Sequence, residues 1–383
     1  MQKEKIVPAI RFKGFKEEWK EKKINQILIP IVSDLTMLCI QEKEPYPVYD
    51  ANNIVGYSSY ALSSVPYLTI IKDGAGVGRT RKLPANSSFL GTMTGLIPKN
   101  SDIDFTYNLM SSLKLEKNFS GSTIPHIYFS DYGKYLVYVP SIIEQQKIGL
   151  FLSNLDILIT CVERNLDKLQ TIKQSLLNKM FASFGQKMPQ VRFKNFDKKW
   201  EVILISELLE ERNELSKKTD DFPLMAFISK KGIVDKGDKY DRESLVSDVK
   251  NKPYKKTFYG DFIYSSNNLE SGSIGMNRYG NALISPVYNI FRTKRDSNYI
   301  NYLLCRKEVI NNMVVWRQGV IYGQWRIHPS NFLSIQIASS LSEAEQQKIG
   351  QFLSNLDSLV HSQEQKLEKL NNIKQALLEK MFC

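Results

Sequence analysis

Two long stretches of the 383-residue chain place their apolar side chains on a heptad. In the first, Ile148, Leu152, Leu155, Ile159, Val162, Leu166 and Leu169 follow at alternating steps of four and three, the seam of a coiled coil. The second repeats the pattern with Ile349, Leu353, Leu356, Val360, Leu367 and Leu370, and Gln363 holds one seam position. An added step of three, to Ile172 and to Ile373, would overwind the supercoil locally. Past Gly149 neither Pro nor Gly interrupts the first stretch. Each stretch therefore predicts a helix of about 38 residues, about 57 Å long at 1.5 Å per residue.

These helices belong to an internal repeat. Glu144–Ala182 and Glu345–Cys383 agree at 25 of 39 positions, offset by 201. A second pair, Pro8–Leu28 and Pro189–Leu209, agrees at eight of 21, offset by 181: Pro8/Pro189, Arg11/Arg192, Phe12/Phe193, Lys13/Lys194, Phe15/Phe196, Trp19/Trp200, Ile24/Ile205 and Leu28/Leu209. Between them lie two regions that resemble each other poorly, roughly 29–139 and 210–340. Two copies of one frame thus hold two different inserts. The expected segments are a first globular region 1–139, a central helix 140–183, a second region 184–340 and a C-terminal helix 341–383. The second helix would bury its seam most simply by running antiparallel to the first, with one globular region at each end and a pseudo-twofold axis. Leu152 and Leu377 would then be neighbours; the alternative packs each helix on its own domain.

The inserts read as mixed α+β structure dominated by short strands, among them Tyr67–Ile71, Leu136–Val139, Phe258–Tyr264 and Leu333–Ile337. Turns fall at Asp73-Gly74-Ala75-Gly76, Asn52-Asn53, Asn267-Asn268 and Gly280-Asn281. The fold class is α+β: two globular domains of short strands and helices, joined by long antiparallel helices.

Charge narrows the partners. The chain carries 52 Lys and Arg against 40 Asp and Glu, a net +12. The two helical repeats hold only +1 of this, so the excess sits in the globular regions and favours nucleic acid. One cluster is Lys72, Arg79, Arg81 and Lys82 around a glycine-rich turn. The other is Lys250, Lys252, Lys255 and Lys256, with Arg278, Arg317 and Arg326 beside Tyr279, Tyr322 and Trp325. Cations neutralise phosphates, and Arg, Asn and Gln, here including Gln324, make paired hydrogen bonds to base edges. Solvated surface charge is the plainer explanation for any single lysine.

Other chemistry falls away. The longest apolar run, Ile27–Val32, is six residues and contains Pro30, too short for a membrane span. The first residues lack the apolar stretch of a secretory signal. Four scattered cysteines without a CxxC, and three histidines, make a zinc site or disulfide framework a poor reading. A soluble, reduced, cytoplasmic protein is expected. Gly74-Ala75-Gly76-Val77-Gly78 would need a helix after it to cradle a phosphate, but Pro84 follows too soon, so a hairpin loop is expected. Asp248-Val249-Lys250 looks like the tail of a nuclease signature, yet has no clear upstream acidic partner. There is no GxxxxGK[ST] and no Pro-Pro dipeptide. His126, His328 and His361 lack the neighbours of a hydrolase triad. No catalytic or metal site is expected.

The frame resembles the specificity subunit of type I restriction–modification enzymes. The likeness rests on Pro-x-(Ile/Val)-Arg-Phe-Lys-x-Phe…Trp opening each half. It rests equally on Glu-Gln-Gln-Lys-Ile-Gly-x-Phe-Leu-Ser-Asn-Leu-Asp, then Ile-Lys-Gln-x-Leu-Leu-x-Lys-Met-Phe, closing each. Gly121-Ser122-Thr123-Ile124-Pro125-His126-Ile127 is similar to the family's Gly-Ser-x-x-Pro stretch, which adds Ser122, Thr123 and His126 to the DNA-facing candidates. In the second half Gly319-Val320-Ile321-Tyr322-Gly323-Gln324 stands there without the Pro.

The resemblance implies that each variable region reads one half of a split, asymmetric double-stranded DNA target. The helices would space the readers and dock two modification (methyltransferase) subunits, through which two ATP-dependent restriction subunits join. S-adenosylmethionine, ATP and Mg²⁺ would then belong to partners, and this chain would bind no cofactor. Matched positions off the seam are the candidate docking surface: Gln145/Gln346, Gln146/Gln347, Asn154/Asn355 and Lys173/Lys374. A self-contained nuclease or methyltransferase, and a coiled-coil scaffold without DNA contact, are the competing readings.

Overall fold

The computed structural model describes residues 7–117, 125–229, 231–235, 253–320 and 324–383, with the side chains of Val320 and Gln324 left aside. The chain divides into two compact units. Unit 1 is 1–164 together with 364–383, and unit 2 is 165–363. The units cut across the expected segments, because each takes part of both long helices.

The helices span Ile142–Lys179 and Glu343–Met381. In unit 1 the start of the first packs with the end of the second: Leu377 and Met381 join the core that holds Ile148 and Leu152. In unit 2 Met180, Ile349 and Leu353 share a core in the same way. Gly149 meets Phe105, which lies against Phe382, while seven residues on Asp156 pairs with Lys374 eight residues back. The order reverses, so the helices run antiparallel there.

One detail of the seam is corrected. Ile172 and Ile373 are 50% and 42% exposed, so no extra step of three overwinds the supercoil. The heptad continues unbroken through Lys173, Leu176 and Met180, and through Lys374, Leu377 and Met381. A lysine escapes notice on an apolar pattern, yet each reaches a carboxylate on the facing helix: Lys173 Nζ lies 2.5 Å from Asp357 and Lys374 Nζ 2.5 Å from Asp156.

The inserts, unlike in sequence, fold on one plan. Unit 1 has a four-stranded antiparallel sheet in the order Leu28–Ile31, Met93–Pro98, Tyr67–Ile71, Thr80–Leu83. Unit 2 has Leu209–Arg212, Asn289–Thr293, Phe262–Tyr264, Ile274–Met276. In both, a strand just after the frame's Trp closes against the last strand before the long helix. Lys20–Lys23 pairs Leu136–Val139, and Glu201–Leu204 pairs Gln336–Ser339. Two expected strands change. Phe258–Asp261 is a turn, its Phe258 N–H held by Asp261 Oδ2 at 2.8 Å, so the strand starts at Phe262. Pro329–Leu333 is a short helix, entered through Pro at its first turn and His328 at its cap, and the strand begins at Gln336.

The matched frame residues build one joint twice. Arg11 donates through Nε and Nη2 to both oxygens of Glu144, at 2.7 and 2.8 Å, and Arg192 does the same to Glu345, at 2.5 and 2.8 Å. Phe12 meets Phe151 edge-on, as Phe193 meets Phe352. Lys147 lies over the Phe12 and Phe15 rings, and Lys348 over Phe193 and Phe196. Trp19, Phe105 and Phe382 cluster in unit 1, and Trp200, Tyr299 and Phe181 in unit 2. The Ile10 N–H donates to Lys380 O and the Val191 N–H to Lys179 O, both at 2.9 Å.

Each long helix crosses the capped end of a shorter one, Ile103–Ser112 or Ser297–Leu304, at a glycine. A Cβ on Gly149 would sit 2.5 Å from Asp102 Oδ1 and 2.7 Å from Phe105 N; on Gly350 it would sit 2.4 Å from Asp296 Oδ1. These aspartates cap their helices by accepting from Phe105 N and Tyr299 N. Gly149→Val should therefore lower stability by about 1–3 kcal/mol through overpacking, read as an earlier midpoint in urea unfolding.

Candidate nucleic-acid interface

At the loop ends of the two sheets the units again share a construction. Each sheet has a hairpin whose loop, 72–79 or 265–273, is tied to a return segment, 125–128 or 325–328, that leads into a short helix and the closing strand. In unit 1 the Ile127 N–H donates to Lys72 O at 2.9 Å and the Gly74 N–H to Pro125 O at 3.1 Å. His126 Nδ1–H donates to Asp73 Oδ1 at 2.9 Å, and the His126 ring stacks on Tyr128, 6.1 Å between centroids. In unit 2 the Trp325 N–H donates to Asn267 Oδ1 at 2.6 Å and the Ile327 N–H to Ser266 Oγ at 3.0 Å. Ile127 and Ile327 are buried anchors, while Tyr128 and Trp325, each 48% exposed, face solvent.

The glycine-rich turn is a hairpin loop, since Tyr67–Ile71 pairs antiparallel with Thr80–Leu83. Gly78 has φ +83°, and a Cβ there would lie 2.4 Å from Glu116 N. Its glycines serve the turn and a close backbone approach, not a phosphate cradle.

This construction gathers some candidates and separates others. Half-buried Lys72, exposed Arg79 and His126 lie on the unit 1 loop and its return segment. Arg79 is steadied by Ala51 O and Asn52 Oδ1 at 2.8 and 2.7 Å, and Arg81 lies over the Tyr49 ring. In unit 2 exposed Arg326 follows Trp325. Arg317 donates to Glu270 Oε2 at 2.8 Å from the hairpin loop, and its guanidinium is largely buried. Burial lowers the Lys255 ammonium's pKa, Glu211 opposes the shift and Arg326 adds to it; Lys255 also donates to Tyr288 O at 3.0 Å. Lys256 lies over the Phe222 ring.

Lys82 and Arg278 turn elsewhere. Lys82 pairs with Asp104, reaches Ser153 Oγ of the long helix at 3.3 Å and lies over Tyr107. Arg278, with exposed Tyr279, lines a cavity against Asn301, Cys305 and Asp357 of the helices. Lys82 is thus engaged by a helix, while Arg278 stays exposed at the mouth of that cavity. Ser122, Thr123, Lys250, Lys252, Tyr322 and the Gln324 side chain lie outside the described residues.

The expected docking surface changes in part. Gln145 and Gln346 are 4% and 1% exposed. Gln145 accepts from Ser101 Oγ and Asp102 N and donates to Pro140 O, and Gln346 donates to Ser340 O. They seat the helix starts, so changing them would disturb folding before docking. Lys173 and Lys374 are occupied in the seam. Gln146, Asn154, Gln347 and Asn355 remain on the surface. Asp73, Asn267 and Tyr128 were not singled out for this role: Asp73 meets His126 across 53 residues and Asn267 meets Trp325 across 58, which no local spacing betrays.

Two loop junctions bearing cations and exposed rings thus sit on two copies of one frame. Residues 16–174 match the family described as type I restriction modification DNA specificity domain. A type I restriction enzyme MjaVIII specificity subunit of Methanocaldococcus jannaschii is 26% identical over 151 residues, which are 37% of this chain and 35% of that one. The match thus spans about a third of that relative's length. The crystal structure of a type I restriction-modification system S subunit from M. genitalium shares the fold, with TM-score 0.65 at 16% identity over 99% of both chains. The likeness to that family thus lies in residues 16–174, and the frame segments that carry it recur in the second half of the chain.

Proposed function

We propose that this chain is the non-catalytic, sequence-reading subunit of a type I restriction–modification complex. Each unit reads one half of a bipartite, asymmetric target in double-stranded DNA. The observation that carries this reading is the repeated loop junction: one fixed frame offers two chemically different surfaces, as recognition of two different half-sites requires. Cations such as Arg79 and Arg326 supply phosphate affinity, while His126, Tyr128 and Trp325 offer base-edge and stacking contacts.

Modification subunits dock on the frame, with Gln146, Asn154, Gln347 and Asn355 as surface candidates, two copies to one chain. Two restriction subunits join through them. S-adenosylmethionine, ATP and Mg²⁺ act on those partners, and the complex works in the cytoplasm. No helix among the described residues is long and apolar enough to cross a membrane, which suits that setting.

Methylome sequencing with the gene present and deleted tests the proposal: a bipartite adenine-methylated motif should vanish on deletion. Exchanging residues 29–139 for another insert should alter one half of the motif only. A motif unaffected by deletion, or changed in both halves by the exchange, would overturn the reading.

A further inference from the structure

The hairpin loop and return segment are joined in each unit by a side chain at one topological position. Asp73 and Asn267 both lie in the loop that follows an inner strand of the four-stranded sheet, Tyr67–Ile71 or Phe262–Tyr264. Each reaches the residue just ahead of a buried isoleucine: Asp73 holds Nδ1–H of His126, one place before Ile127, at 2.9 Å, and Asn267 holds the N–H of Trp325, two places before Ile327, at 2.6 Å. We infer that Asp73 and Asn267 are positioning residues for base reading, each latching the return segment of its own unit.

The inference rests on the proposed DNA-reading function and names how that reading is held. A carboxylate can only accept, so the hydrogen bond fixes the His126 proton on Nδ1. Its other nitrogen, Nε2, is left for a partner. Stacking on Tyr128 at an interplanar angle of 12° fixes the ring plane as well. The ring is thus held at both ends of its motion while its side chain stays 36% exposed, so order here serves contact with something outside the chain. In unit 2 the latch is a side-chain carbonyl on a backbone N–H, which orients exposed Trp325 and Arg326. Different latch chemistry on an equivalent site fits two readers of unlike half-sites. A positioned group discriminates between bases only while its supports hold it.

The test uses the full chain in its complex and duplexes carrying the methylated motif, with either half scrambled in turn, followed by fluorescence anisotropy. The insert exchange assigns each half to its unit. Asp73→Ala should reduce discrimination at the unit 1 half about tenfold and leave the other half within about twofold. Asp73→Asn keeps an acceptor for Nδ1–H and should restore most of the loss. Asn267→Ala should do the reverse, acting on the unit 2 half. Loss of stability alone would weaken both halves together, and melting of each variant is followed alongside. Asp73→Ala with first-half discrimination intact, or with both halves reduced alike, overturns the inference while leaving the DNA-reading function standing. Wild-type protein that discriminates at neither half overturns that function, and the latch with it.

Discussion

Glu345→Ala is expected to lower folding stability by about 3–5 kcal/mol, because it strands a largely buried guanidinium. The Glu345 side chain is fully buried and accepts from Arg192 twice, from Trp200 Nε1 at 3.2 Å and from Ser340 Oγ at 2.6 Å. Burial by itself would raise this carboxyl's pKa. The hydrogen bonds from Arg192 and Ser340, the Arg192 charge and the Trp200 bond outweigh it and hold the group below the usual range. The sign follows: a depressed carboxylate contributes stability above its unfolded pKa, and that contribution is lost as pH falls through the folded value. Urea unfolding at neutral pH should show the full loss, and the variant should be less sensitive to acid than the parent. Replacing Arg192 and Glu345 together by Met and Leu should cost much less than either single change, since no charge is then left unpaired. A single change that unfolds no earlier than the parent would remove the joint from the account of stability.

The second large effect is expected at Phe181. It is 1% exposed, lies against Trp200 and Tyr299 with centroids 6.3 and 5.5 Å away, and carries the Arg306 guanidinium 5.2 Å over its ring. Phe181→Ala leaves a cavity among rigid rings that cannot collapse, which costs about 3–5 kcal/mol. Its counterpart Phe382 is 8% exposed, so Phe382→Ala should fall near the lower end of that range. Limited proteolysis should locate the first damage in unit 2 and the second in unit 1. Cleavage appearing in the same place for both would show that the two clusters are not independent supports.

The frame was readable from residues because its signals are periodic and present twice. The seam, the helix lengths, the hairpin at 72–79 and the strands Tyr67–Ile71 and Leu136–Val139 all follow from local pattern. Long-range partnerships were not readable. Gln145 looks like surface until Ser101, Asp102 and Pro140 come round it. Lys173 looks like a break in an apolar stripe until Asp357 faces it. Lys82 looks unpartnered until Asp104 faces it. The common plan of the two inserts was hidden for a related reason: a sheet is held by backbone pairing, and its register survives a change of nearly every side chain.

The hydrogen bond of Val191 to Lys179 closes over twelve residues, whereas its equivalent, Ile10 to Lys380, closes over 370. In an unfolded chain the longer closure carries an added entropy penalty of about 3 kcal/mol, growing only with the logarithm of the separation. Two joints with matching contacts are therefore unequal in how readily they re-form once broken. The discontinuous unit, whose last helical turns come from residues 364–383, is expected to re-form its joint more slowly after unfolding, a difference that refolding kinetics would show. Two joints alike in their contacts are thus expected to differ in how fast they close.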